Sequence, residues 1–256
     1  MDNSTSTLMS LAQQLVSKKV EVIDLTAPLS SETPVIRLPA DRGQPWPFER
    51  QVISRYDENG EEVYWNNIRM SEHTGTHFDA PIHWISGKDF TDVSQVPVQQ
   101  LVAPAVVVDV SDQVDDPDFL LERHHVEAWI EQHGPLPEGG WLLYRSGWDA
   151  RGENADTFLN DSHTPGVSPE CAKWLAEQTP IVGIGVETVG TDAGQAFTFE
   201  PQFPVHWYFQ GACKYGLTQL KNLAKLPPVG AVLVVAPLPI VGGSGSPCRA
   251  FALIES

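Results

Sequence analysis

One run, LVAPAVVVDV at 101–110, restricts the possible folds more than any other stretch of the chain. Its β-branched side chains crowd a helix but suit a pleated surface, so the run is read as a buried strand. Shorter apolar runs predict further strands at Val20–Leu25, Trp141–Arg145, Ile181–Val186, Gly230–Ala236 and Ala250–Ile254. Leu8, Leu11, Leu15 and Val16 have helical spacing and predict a helix over 5–18; a second helix spans 123–133 and ends at His133-Gly134-Pro135. Ser168 is read as the N-cap of a helix that runs through Gln178 with Pro169 at its first position, and Val205–Tyr215 as another helix. The turn Asp57-Glu58-Asn59-Gly60 joins Val52–Tyr56 and Glu62–Met70 into a hairpin. Thr26–Pro47, rich in Pro, Ser and charge, is a long ordered loop. Strands and helices alternate only in the second half. The expected class is therefore α/β in the α+β sense, with a mixed sheet.

The 256 residues lie near the upper limit for one hydrophobic core, and no repeat or composition shift marks a boundary. A single domain over 1–256 is expected. The net charge of -17 argues against nucleic acid or an anionic membrane surface as partner. No window approaches the roughly 20 apolar residues of a membrane span, and the N-terminus lacks the pattern of a secretory signal; a cytoplasmic location is expected. Cys171, Cys213 and Cys248 lie far apart without a Cys-x-x-Cys pair, which predicts reduced thiols.

Chemistry concentrates in the eleven residues His73-Thr74-Gly75-Thr76-His77-Phe78-Asp79-Ala80-Pro81-Ile82-His83. Two histidines with one carboxylate form a facial set that suits Zn, Mn or Fe and leaves positions open for water and substrate. A regular helix would carry Asp79 roughly 240° around from His73. A straight strand would separate the two by about 20 Å. The chain must therefore curl, and Gly75 and Pro81 permit it. A closed tetrahedral zinc site built from His73, His77, Asp79 and His83 is the structural alternative. It lacks the thiolates that such sites favour.

The segment fills every position of His-x-Gly-Thr-His-x-Asp-x-Pro-x-His, the signature of the cyclase family of metal-dependent hydrolases, which the chain resembles. Further similarity lies in DLTAPLSSETPV at 24–35, TPGVSPECAKWLAE at 164–177, GIGVETVGTD at 183–192 and GSGSPCRAFALI at 243–254. The resemblance implies a barrel-like mixed sheet flanked by helices, of swivelling β/β/α type, assembled as a homodimer or larger homo-oligomer. It implies His73, His77 and Asp79 as metal ligands and His83 as catalytic acid/base. Formamidase-like members add a second ion held by a later His and a Glu. His206 matches that His, but Lys221 stands where the Glu would be. One divalent ion is therefore expected, Mn ahead of Zn, with the Lys221 ammonium replacing the second and His206 free to touch substrate.

Family branches include kynurenine formamidase, isatin hydrolase and a dienelactone hydrolase. The early loop TAPLSSETPVIRLP is most similar to the isatin hydrolase branch, which implies opening of isatin, a cyclic aromatic amide, to isatinate. Formamide hydrolysis is the second reading and lactone hydrolysis the third. Trp84, Phe203 and Trp207, near His83 and His206 in sequence, are candidate walls for a planar aromatic substrate; Phe197 and Phe199 also flank His206, and Trp46 and Phe48 lie in the early long loop. Arg145, Ser146 and Asp149 are candidate substrate contacts, and His163, just before the Thr164-Pro165-Gly166 turn, is a candidate neighbour of the pocket that nothing in the sequence demands. His124, His125 and His133 are read as solvated or capping groups. Rivals from other classes are a metal-stabilised binding module without turnover and an Fe(II) oxygenase on the same ligand set.

Overall fold

The 101–110 run forms the strand around which the sheet is organised. The computed structural model describes residues 6–152 and 154–256. Its helices are α1 (Thr7–Val16), α2 (Arg123–His133), α3 (Ala155–Leu159) and α4 (Pro169–Gln178). Its strands are β1 (Val20–Asp24), β2 (Glu49–Asp57), β3 (Gly60–Arg69), β4 (His77–Asp79), β5 (Val102–Asp109), β6 (Leu120–Leu121), β7 (Trp141–Arg145), β8 (Gly166–Val167), β9 (Gly183–Val186), β10 (Tyr215–Thr218), β11 (Ala231–Pro237) and β12 (Gly245–Glu255).

The sheet is mixed, as expected. β5, β7, β9 and β10 run parallel, while β11 pairs antiparallel with both β5 and β12. The start of β12 pairs with β4, and β4 pairs in turn with β10, so these strands close a ring. β1 continues along the rest of β12, outside the ring. Closure leaves β4 no free edge, and β4 carries two of the signature residues.

Period-two alternation divides the apolar residues between two cores. Ala103, Ala105 and Val107 of β5, with Trp141 and Leu143 of β7, point into the barrel beside Phe78, Leu217, Leu233 and Ala250. Val106, Val108, Leu142 and Tyr144 point outward and are covered by Val126 and Trp129 of α2 and Cys171 and Leu175 of α4. Inside the barrel, a Cβ at Gly183 would stand 2.5 Å from Trp141, so glycine is what lets that indole fill the interior.

Most predicted elements appear within a few residues of their expected ends, and Ser168 caps α4 by accepting from the Cys171 amide at 3.3 Å. The 205–215 helix needs correction. It is a short π-helical turn over His206–Gln210, after which Gly211 and Cys213 (φ 58°) turn the chain so that Tyr215 opens β10. The strand predicted over Ala250–Ile254 is the second half of the longer β12.

Candidate metal centre and active site

The signature segment curls as predicted, though part of it is strand rather than loop. Gly75 has φ +67°, a conformation that disfavours a side chain, and a Cβ there would meet Leu29 at 2.6 Å. The chain then extends as β4 between β10 and β12, and Pro81–His83 forms a single 3₁₀ turn. Thr76 ties the segment down on two sides: its hydroxyl donates to the Gln219 carbonyl at 2.7 Å and accepts from the Ala27 amide at 2.9 Å. Thr74 through Pro81 are all buried.

Four imidazoles converge on Asp79. His73 Nδ1 lies 2.8 Å and His77 Nε2 3.4 Å from Asp79 Oδ1, and His206 Nε2 lies 3.9 Å from Oδ2. His83 stacks on His73 with ring centroids 3.9 Å apart, and His73, Asp79 and His83 each offer a ligand atom within 4.8 Å of the others. Two glycines make this crowding possible. A Cβ at Gly245 would come within 2.7 Å of His73 Cε1, and one at Gly216 within 2.7 Å of Asp79 Oδ2.

These residues fit a divalent cation. Asp79 is buried, and among the described residues its charged partners are imidazoles, with no Lys or Arg. His77 Nδ1 lies 2.7 Å from the Gly75 carbonyl, which only accepts, so its proton sits there and Nε2 presents a lone pair beside the carboxylate. Ligand atoms about 2.1 Å from one ion and at right angles are about 3 Å apart. The 2.8 and 3.4 Å separations bracket that figure.

The electrostatics separate the histidines. Burial pushes His77 down to about 4, against the opposing pull of Asp79. Burial, then the His73 charge, holds His83 well below the ordinary imidazole value, so it is neutral at pH 7. Burial also opposes the charge on His206, but its hydrogen bond to Asp192 and the charge of that carboxylate outweigh it and raise His206. Asp192 accepts from His206 Nδ1 at 2.5 Å and from the Val205 amide at 2.7 Å. Burial works to raise Asp79, yet His77, His73 and His83 hold its carboxyl well below the usual carboxylate range. Cys248, distant in sequence, is close enough to feel Asp79; burial and then that charge keep it a neutral thiol.

Comparison with known proteins settles the family. The cyclase family model matches residues 23–193. The chain belongs to the cyclase family. It is 43% identical over 260 residues to isatin hydrolase of Roseibium aggregatum, covering 98% of each chain. Among solved structures it is similar to isatin hydrolase A from Ralstonia solanacearum, at 44% identity and TM-score 0.94 with full coverage of both chains. It is also similar to an isatin hydrolase bound to the product analogue thioisatinate, at 42% identity and TM-score 0.95, covering 98% of this chain and 100% of that one.

Of the aromatic residues singled out in this cyclase-family chain, two join the cluster. Trp84 lies 4.9 Å from His206 and 5.4 Å from Phe203, ring to ring. Trp207 is part of the same π-helical turn, but none of the close ring pairs at the site includes it. Lys221 keeps different company: its ammonium donates to the Asp149 carbonyl at 3.2 Å and lines a small cavity with Phe158, Glu187 and Gln219. Arg145 binds Asp109 and Ser111. Ser146 serves Glu187, and Asp149 accepts from the Asn222 amide. These three are committed to structure rather than placed at the histidines. His163 pairs with Asp118, and His125 accepts from the Glu122 amide at the start of α2.

Sequence reasoning passed over Glu72, Asp192, Thr218 and Ser244. Thr218 lies 2.8 Å from His77 Nδ1, and Ser244 Oγ 2.8 Å from His73 Nε2. Asp192 and Ser244 do fall in the stretches GIGVETVGTD and GSGSPCRAFALI that carried the family resemblance, which was their one visible signal.

Proposed function

We propose that the protein hydrolyses isatin to isatinate with one divalent cation held by His73, His77 and Asp79. The observation that carries this reading is full-length similarity to isatin hydrolases together with the convergence of the buried donor set. When bound, the cation acidifies a water and polarises the lactam carbonyl. His83, neutral because it is buried, takes the proton from the attacking water. The water oxygen bonds to the lactam carbon, the carbon–nitrogen bond breaks, and His83 returns the proton to the departing nitrogen. Without that return the leaving group would be an anilide anion. His206, raised by Asp192, presents an N–H to a substrate oxygen. The opposite directions in which His83 and His206 are moved support the reading of one as base and the other as hydrogen-bond donor. Trp84 and Phe203 form an aromatic wall on which a planar ring can stack.

The cation is proposed to be Mn rather than Zn; two imidazoles and a carboxylate accept either ion, so the choice between them rests on coordination geometry and metal supply. Three free cysteines, two of them buried, suit a reducing cytoplasm. No described helix is long and apolar enough to cross a membrane. A homodimer is the proposed assembly, since the β2–β3 ribbon exposes Val52, Tyr56, Trp65 and Ile68 on a two-stranded sheet of its own.

The test follows absorbance changes for isatin and for N-formylkynurenine with chelator-stripped protein before and after addition of Mn or Zn. Metal-restored opening of isatin supports the reading. Preference for the formamide moves the protein to the formamidase branch. Turnover unchanged under strict anaerobiosis excludes oxygenase chemistry.

A further inference from the structure

We infer that Glu72 and Ser244 are positioning residues that fix the tautomer of His73 and thereby set the affinity of the metal centre; this rests on the metal-dependent reading above. Glu72 Oε2 takes two hydrogen bonds from Ser244, one from its amide at 3.0 Å and one from its hydroxyl at 2.7 Å. The single hydroxyl hydrogen of Ser244 is thus directed at Glu72. Toward His73 Nε2, 2.8 Å away, the same oxygen presents a lone pair and can only accept. His73 must therefore carry its proton on Nε2, which leaves Nδ1 with a lone pair facing Asp79 Oδ1 at 2.8 Å.

Two acceptors at that distance repel unless a cation lies between them. The brace makes the pair receptive to a metal ion, much as the Gly75 carbonyl does for His77. The arrangement is built into the backbone on both sides of Ser244. A Cβ at Gly245 would lie 2.7 Å from His73 Cε1, and one at Gly243 would press on Glu72 Oε1 at 3.0 Å, so the glycines on either side of Ser244 leave room for both partners. Ser244 also accepts from the Ala80 amide through its carbonyl at 2.9 Å, which pins the brace to the end of β4.

Replacing the acceptor breaks the logic without removing bulk. In Glu72→Leu no acceptor remains for the Ser244 hydroxyl, which is then free to donate to His73 Nε2. The proton then moves to Nδ1, where it hydrogen-bonds Asp79 and competes with the cation.

The experiment titrates chelator-stripped, full-length protein with Zn and with Mn against a chromophoric chelator. It compares wild type with Glu72→Leu, Ser244→Ala and Ser244→Thr, with thermal unfolding run alongside. Affinity is expected to fall about 10- to 100-fold in Glu72→Leu and Ser244→Ala, and to be restored by Ser244→Thr, which keeps the hydroxyl. Nitrogen NMR of the zinc-loaded wild type should place the His73 proton on Nε2. Tight binding by wild type with both weakening variants within twofold of it overturns the inference and leaves the isatin reading intact. A wild type that binds metal through this brace but leaves isatin unopened overturns the isatin reading and supports the inference. A wild type that takes up neither ion overturns both.

Discussion

Residues 73–83 and the β2–β3 hairpin show two ways in which one chain uses strand-forming sequence. β4 is a three-residue strand, yet it is paired on both sides and every residue from Thr74 to Pro81 is buried. The hairpin strands are about three times as long, with a clear turn and pairing interrupted only by register shifts between Val52 and Ser54 and between Arg55 and Asp57, and β2 buries Ser54 alone. A two-stranded ribbon is marginal in water on its own. Local propensity therefore orders the hairpin internally without giving it a core. Barrel closure gives β4 its rigidity and its precision as a ligand platform. Catalytic groups belong on the first kind of element, because ligand positions must hold to a fraction of an ångström. The proposed self-association uses the second.

The sharpest separation of roles comes from His83→Ala. Turnover of isatin should fall by about 10²- to 10⁴-fold, while metal content measured by elemental analysis stays at the wild-type level. Loss of the ion as well would make His83 a ligand rather than the proton carrier. Next in size is Gly245→Ala, which sets a methyl 2.4 Å from the Phe78 carbonyl and 2.7 Å from His73. It should cost roughly 1–3 kcal/mol of stability and lower cation affinity, read by denaturant unfolding and metal titration. An unchanged midpoint would show that β4 is less tightly held than its pairing implies.

On the hairpin, joint substitution Trp65→Ser and Ile68→Ser should shift the sedimentation equilibrium from dimer to monomer. Stability of the folded subunit should move by less than about 0.5 kcal/mol per site, in contrast to Gly245→Ala. A dimer that persists would place the interface elsewhere. The smallest effect expected is a displacement of the pH profile. His83 must be unprotonated, so activity is lost as pH falls through its lowered pKa, below 6.5. His206 must be protonated, so activity is lost as pH rises through its raised pKa, above 6.5. Asp192→Asn removes the bond and charge that raise His206 and should move only the alkaline limb, toward lower pH. A profile that does not move would remove His206 from the role of donor.

Much of the local structure could be read directly. The β-branched run at 101–110, the Ser168 cap with Pro169 behind it, the turn before Gly60 and the curl at Gly75 each depend on residues within a turn or two of one another. The helix expected over 205–215 is present only in its first half for the same reason: its apolar spacing is helical, but the demand that His206 reach Asp192 and that Tyr215 enter the sheet is not local. Lys221 shows the limit from the other side, since its place in a family pattern did not determine which groups its ammonium would meet.

By itself, the sequence determined the ligand types, their spacing and the need for the chain to bend around a point, because side-chain chemistry and backbone sterics act over a few residues. Only the tertiary structure decided that β12 would close on β4, that His206 would face Asp79, and that Ser244 and Glu72, 172 residues apart, would meet behind His73. Those meetings depend on strand register and on close packing across the barrel, to which every element contributes and which no short window of sequence contains.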